Sequence, residues 1–136
     1  MKTLLRLIYT SRSNVHLDEA GLASLLEQSR GNNYDSGITG VLSFGHGFFL
    51  QVLEGPEREL ISLYSRIIAD SRHRDCEILD VSLTHDRLFP NWTMGFVGAF
   101  KRGSAPYNEL LDYRIVRDDA AKTRALLDDL LEIVTE

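Results

Sequence analysis

Apolar positions along the first hundred residues follow two periods. From Thr3 to Tyr9 they alternate, placing Leu5, Leu7 and Tyr9 on one face of a strand and Leu4, Arg6 and Ile8 on the other. Asn14 to Asp18 supply capping residues, after which Leu22, Leu25, Leu26 and Ser29 recur at helical spacing, which predicts a helix ended by Gly31. The segment 32–37, Asn-Asn-Tyr-Asp-Ser-Gly, reads as turn. Ile38 to Phe44 and Phe48 to Glu54 read as a hairpin folded around Gly45-His46-Gly47. Pro56 at a first helical position, acids at Glu57 and Glu59, and a stripe of Leu60, Leu63, Tyr64, Ile67 and Ile68 define a second helix. Cys76 to Leu83 and Thr93 to Phe100 read as two further strands. A last helical pattern spans about 119–134, where Leu127, Leu130, Leu131 and Val134 line a face that Leu126 and Ile133 widen. Such a face needs cover, from its own sheet or from another subunit.

The order β-α-β-β-α-β-β predicts an α+β, ferredoxin-like sandwich, with two helices on one face of a five-stranded sheet and a C-terminal helix added. Residues 1–100 would form the domain and 101–136 a helical extension. In this topology the third strand lies beside the first, and right-handed crossovers bring both helices to one face. The groove between those helices is the natural ligand site.

Composition narrows the possible roles. The 136 residues are 43% hydrophobic and 26% charged, as in an ordinary globular domain, which excludes disordered and collagen-like chains. Fifteen Lys and Arg against 20 Asp and Glu give a net charge of -5, so nucleic acid is not an expected partner. A single cysteine, Cys76, rules out an intrachain disulfide framework and suits a reducing compartment. Arg6 interrupts the N-terminal apolar run, and no stretch reaches the roughly 18 uncharged apolar residues of a membrane span. A cytoplasmic location without membrane attachment is expected. His16, His46, His73 and His85 show no zinc-site spacing, so no metal is expected. Dinucleotide, P-loop and nucleophile-elbow motifs are absent. Arg66, Arg72, His73 and Arg74 gather near the end of the second helix, where cations offset its dipole.

The distinctive chemistry lies in the groove. Inward alternation along the first strand ends at Tyr9, and along the third strand it runs from Phe49 to Gln51 and Leu53. A phenol and a carboxamide therefore meet in an otherwise aliphatic face, where each group left without a partner costs about 1–3 kcal/mol. Either they bond each other or a polar ligand edge completes the set. Asn32 and Asn33 add two amides, which suits a heterocycle carrying adjacent carbonyl and N–H groups. Taken singly, each feature has an ordinary reading as cap, turn or strand-edge residue.

Taken together they are more specific. Leu-Ile-Tyr-Thr-Ser at 7–11, Ser-Arg-Gly-Asn-Asn at 29–33, Gly-Ile-Thr-Gly-Val-Leu at 37–42 and Phe-Leu-Gln-Val-Leu-Glu-Gly-Pro at 49–56 occur in one order. Arg-Ile-Ile-Ala-Asp-Ser-Arg-His at 66–73 and Phe-Pro-Asn-Trp-Thr-Met at 89–94 follow. Over about residues 3–100 the chain closely resembles the BLUF family of blue-light sensors. The resemblance implies a non-covalent FAD whose ring lies between the two helices, with Tyr9 bonded to Gln51 and Gln51 contacting the flavin edge. It further implies that Asn33 holds the O4 and N3 edge and Asn32 lies along the ring. Arg66, Asp70 and His73, placed on the last turn of the second helix, would approach the pyrimidine edge and ribityl chain. Ile38, Phe49 and Leu50 would supply ring contacts. Trp92 and Met94 match two positions that exchange places near the glutamine within the family.

The implied activity is light-driven loss of an electron and a proton from Tyr9 with Gln51 as relay, and it needs no substrate turnover. Rearranged hydrogen bonds would then signal to an unidentified downstream protein acting in trans, with a homo-oligomer among the expected assemblies. The alternative from another class is a small-ligand enzyme or carrier of the same fold, acylphosphatase-like, in which Arg12 and an asparagine bind an anion. The anion-loop pattern for it is missing.

Overall fold

A computed structural model describes residues 3–15, 18–45, 47–90 and 93–96. Four long strands, β1 (Leu4–Ser13), β2 (Thr39–Gly45), β3 (Phe48–Gly55) and β4 (His73–Thr84), pair antiparallel throughout. A two-residue β5 (Gly95–Phe96) runs parallel to β2 at the sheet edge, giving the order β4-β1-β3-β2-β5. The helices are α1 (Glu19–Ser36) and α2 (Glu57–Ala69). The α+β plan with β3 beside β1 thus matches expectation. Of the fifth strand expected over 93–100, Gly95 and Phe96 are strand, while 97–100 and the C-terminal helix expected over 119–134 lie outside the described residues.

β1 lies between β4 and β3, so both its edges are paired, and it buries side chains on both faces. Leu5, Leu7 and Tyr9 join the core under the helices, while Ile8 and Thr10 are buried on the reverse side. The helix-side core also takes Leu26, Ile38, Leu42, Phe49, Leu53, Leu60 and Met94.

Several boundaries differ from those expected, the first being that β1 runs on to Ser13 rather than ending at Tyr9. α1 does not stop at Gly31 but runs to Ser36, closed by Gly37 in the left-handed conformation at φ 70°, whose N–H reaches Asn33 O and Tyr34 O. Gly31 sits where an added Cβ would meet nothing within 4 Å, so its cost is only the helix penalty of about 1 kcal/mol relative to alanine. The N-terminal prediction holds: Asp18 caps the helix, accepting from Gly21 N at 2.7 Å. β4 begins at His73 rather than Cys76, because an edge strand is held by backbone pairing to β1 and carries polar residues through its first turn of sequence. Consequently α2 ends at Ala69, Asp70 is its C-cap, and His73 belongs to β4, not to the last turn of the helix.

On the reverse side of the sheet, Glu54 is fully buried. It accepts from Arg6 Nε at 2.9 Å, from Leu88 N at 2.9 Å and from Phe89 N at 2.8 Å. Arg87 reinforces the same attachment, donating to Gly37 O, Thr39 Oγ1 and Glu54 O. One carboxylate therefore fastens the connection after β4 to β3.

Candidate functional site

Between α1 and α2, above β1 and β3, lies a cavity of about 220 Å³. Tyr9, Phe49 and Gln51 form part of its floor, Leu25 and Leu63 with Ile67 contribute apolar walls, and Asn32, Asn33 and Met94 add to one side. Arg66, Asp70, Arg72 and His73 line its polar end. Antiparallel register sets Tyr9 directly opposite Gln51, and the phenol donates to Gln51 Oε1. The amide's other end, Nε2, donates to Met94 Sδ at 3.4 Å. A phenol, an amide and a thioether are thus joined in one buried chain: Tyr9 and Met94 are each 1% exposed and Gln51 is 7% exposed.

Burial raises the Tyr9 phenol far above its usual pKa, with smaller contributions from Cys76 and Tyr64. Tyr64 packs edge-on against it, ring centroids 5.2 Å apart, and is itself pushed up to about 12 by burial, then by Cys76 and Glu77. Neither ring ionises in neutral solution.

Asn33 is 2% exposed and donates through Nδ2 to Thr93 O at 2.6 Å. Three residues earlier on the same helix face, Arg30 Nε donates to Met94 O at 2.9 Å. At the far end, the Arg72 guanidinium grips Asp70 with its closest contact at 2.7 Å and holds that carboxyl down at about 2. His73 Nδ1 shares a hydrogen bond with Ser11 Oγ at 2.9 Å, and its ring lies 4.7 Å from that of Phe49. Burial lowers the His73 pKa, Asp70 opposes that shift and Arg72 adds to it.

Of the residues expected at the site, Tyr9, Asn32, Asn33, Phe49, Gln51, Arg66, Asp70, His73 and Met94 share this cavity. Two do not line it. Leu50 is buried on the reverse face of β3, as strand alternation between Phe49 and Gln51 requires, and Ile38 packs in the core near Gly55. Trp92 lies outside the described residues. Leu25, Gln28 and Ser29 were missed as lining residues, yet their spacing with Asn32 continues the α1 stripe once the helix is not ended at Gly31. Arg12, proposed for the anion-binding alternative, stacks over Phe48 at 4.4 Å and pairs with Asp75 at 3.6 Å. Among the described residues no group of acids, His or Cys is arranged to hold a metal, and no helix is long and apolar enough to cross a membrane.

Residues 4–95 match the family described as sensors of blue-light using FAD. Photoactivated adenylate cyclase subunit beta of Euglena gracilis is 32% identical over 93 residues, which are 68% of this chain and 11% of that protein. Among solved structures, the dark state of the BLUF protein BlrB aligns with TM-score 0.73 and 28% identity, covering 98% of this chain and 96% of BlrB. A bacterial light-regulated adenylyl cyclase aligns with TM-score 0.69 and 29% identity, covering 90% of this chain and 35% of the cyclase. The chain therefore spans only a small part of the cyclases it matches, and nearly all of BlrB.

Proposed function

This chain belongs to the BLUF family, whose sensors use FAD, and from that premise we propose that it is a blue-light receptor that signals to a separate protein without turning over a substrate. The observation that carries the reading is the buried Tyr9–Gln51–Met94 chain at the floor of a cleft between two helices.

The residues present fit the cofactor. A flat heteroaromatic ring needs apolar walls and a polar edge, and the cleft has Leu25, Leu63 and Ile67 on its helices with amides of Asn32, Asn33 and Gln51 within it. Asn33 and Gln51 would hold the carbonyl and N–H edge, Asn32 the ring, and Arg66, Asp70 and His73 the polar chain that leaves it. When bound, FAD supplies a strong oxidant on absorbing blue light. Tyr9 would supply an electron to it and a proton to Gln51 Oε1 along the existing hydrogen bond, with Gln51 as relay, and both would return to Tyr9 so that no net oxidation remains. The amide, freed from that bond, rotates or tautomerises and alters what it offers to Met94 Sδ. Met94 lies directly before β5, so the altered contact biases that edge of the sheet. Residues 1–100 would be the sensing unit and 101–136 the extension that carries the change outward.

Absorption spectra of the purified protein, before and after blue light, test the reading. Flavin bands with a small reversible red shift are expected. A protein that neither carries nor takes up flavin, or that holds it without any light-driven shift, would overturn the proposal.

A further inference from the structure

We propose that Arg30 is a positioning residue of the light response: with Asn33, it clamps the backbone of Thr93 and Met94 to α1 and so keeps the Met94 thioether in reach of Gln51. The inference rests on the sensor reading above and adds a residue outside the cavity lining. Two consecutive carbonyls are involved. Thr93 O accepts from Asn33 Nδ2 at 2.6 Å, and Met94 O accepts from Arg30 Nε at 2.9 Å.

Both carbonyls belong to residues that precede the β5 ladder. Among the described residues, β5 pairs with β2 through Val41↔Gly95 and Leu42↔Phe96, so Thr93 and Met94 lie before the ladder and are held to α1 by side-chain donors instead. Arg30 and Asn33 stand three apart on α1, hence on one face, and bring two donors to the two carbonyls. Met94 is gripped at both ends, its carbonyl by Arg30 and its sulfur by Gln51 Nε2. Any change in the Gln51 amide therefore reaches a residue whose backbone is restrained by Arg30. The restraint holds the dark arrangement, and weakening it releases the segment.

Hydrogen exchange across the 93–96 amides, measured in darkness and in blue light, tests this. In the wild type, light is expected to speed exchange of this segment. In Arg30→Ala it should already run about tenfold faster in darkness, as loss of one hydrogen bond from a charged donor implies, with light adding little. The flavin red shift should survive, because Arg30 does not line the cavity. Arg30→Gln places its Nε2 at the same distance along the side chain as the arginine Nε and should restore slow dark exchange; Arg30→Lys, with carbon at that position, should not. Dark exchange in Arg30→Ala equal to wild type, or rescue by Lys as complete as by Gln, overturns the clamp while leaving the sensor reading intact. A wild type without flavin or without a light-driven shift ends both.

Discussion

Tyr9 and Gln51 face each other across the β1–β3 ladder, and the phenol of one donates to the amide oxygen of the other. Antiparallel pairing makes the contact a consequence of register, since opposed residues point to the same face. Gln51→Leu should therefore keep the fold and the flavin while losing the normal red shift. Tyr9→Phe should also keep flavin but block the photocycle, and leave Gln51 Oε1 without its donor at a cost of about 1–3 kcal/mol. Flavin spectra under illumination, with urea unfolding alongside, measure both. A normal photocycle in either variant contradicts the assignments.

That contact was legible in the sequence because strand period and crossover handedness act over the whole domain. What escaped prediction depends on longer-range partners. Asn33 looked like a turn residue because Gly31 and the polar run after it imitate a helix end; its burial under Thr93 outweighs that local signal. The start of β4 escaped because His73, Arg74 and Asp75 show no apolar alternation, and Asp75 even takes a positive φ of 52°. Backbone pairing to β1 holds His73 and Arg74, with Asp75 in the bulge that follows, and backbone bonds leave no pattern in side chains. Arg30 is the extreme case, since its partner is a carbonyl 64 residues away.

Glu54 is predicted to be the most sensitive position on the reverse side of the sheet. Its side chain is 0% exposed, and that of its partner Arg6 is 12% exposed. Glu54→Ala leaves Arg6 without its counter-charge and the Leu88 and Phe89 N–H groups without acceptors, and breaking a buried pair in this way costs about 3–5 kcal/mol. Glu54→Gln, which keeps an oxygen for those donors, should cost less. Urea midpoints at neutral pH give the ranking, and an alanine variant as stable as wild type would refute it.

Two glycines should respond to alanine in opposite directions. At Gly31 the space is open and the backbone helical, so Gly31→Ala should stabilise by about 1 kcal/mol. At Gly40 an added Cβ would run into the backbone carbonyl of Val52, so β2 and β3 must part beside Leu53. Gly40→Ala should destabilise by about 1–3 kcal/mol or more, in line with other overpacked sites. Thermal or urea unfolding of the two variants decides, and the same sign in both would mean that the β2–β3 approach is looser than described.

Two groups at the same end of the cavity should make stability pH-dependent in separate windows. His73 is held below its ordinary pKa mainly by burial, so the unfolded chain binds that proton more readily than the folded one. Stability should therefore fall as pH drops below about 6.5, the unfolded value, and level off below the folded one. Asp70 is held at about 2, chiefly by its hydrogen bond from Arg72. Its contribution is complete above the unfolded value of about 3.9 and is lost as pH falls through the folded one. Urea midpoints across this pH range should show His73→Gln flattening only the upper window and Asp70→Asn only the lower. Because Asp70 also favours the charged form of His73, Asp70→Asn should extend the acid end of the upper window while its top stays at the unfolded value. An upper window that persists unchanged in His73→Gln would assign it to another group.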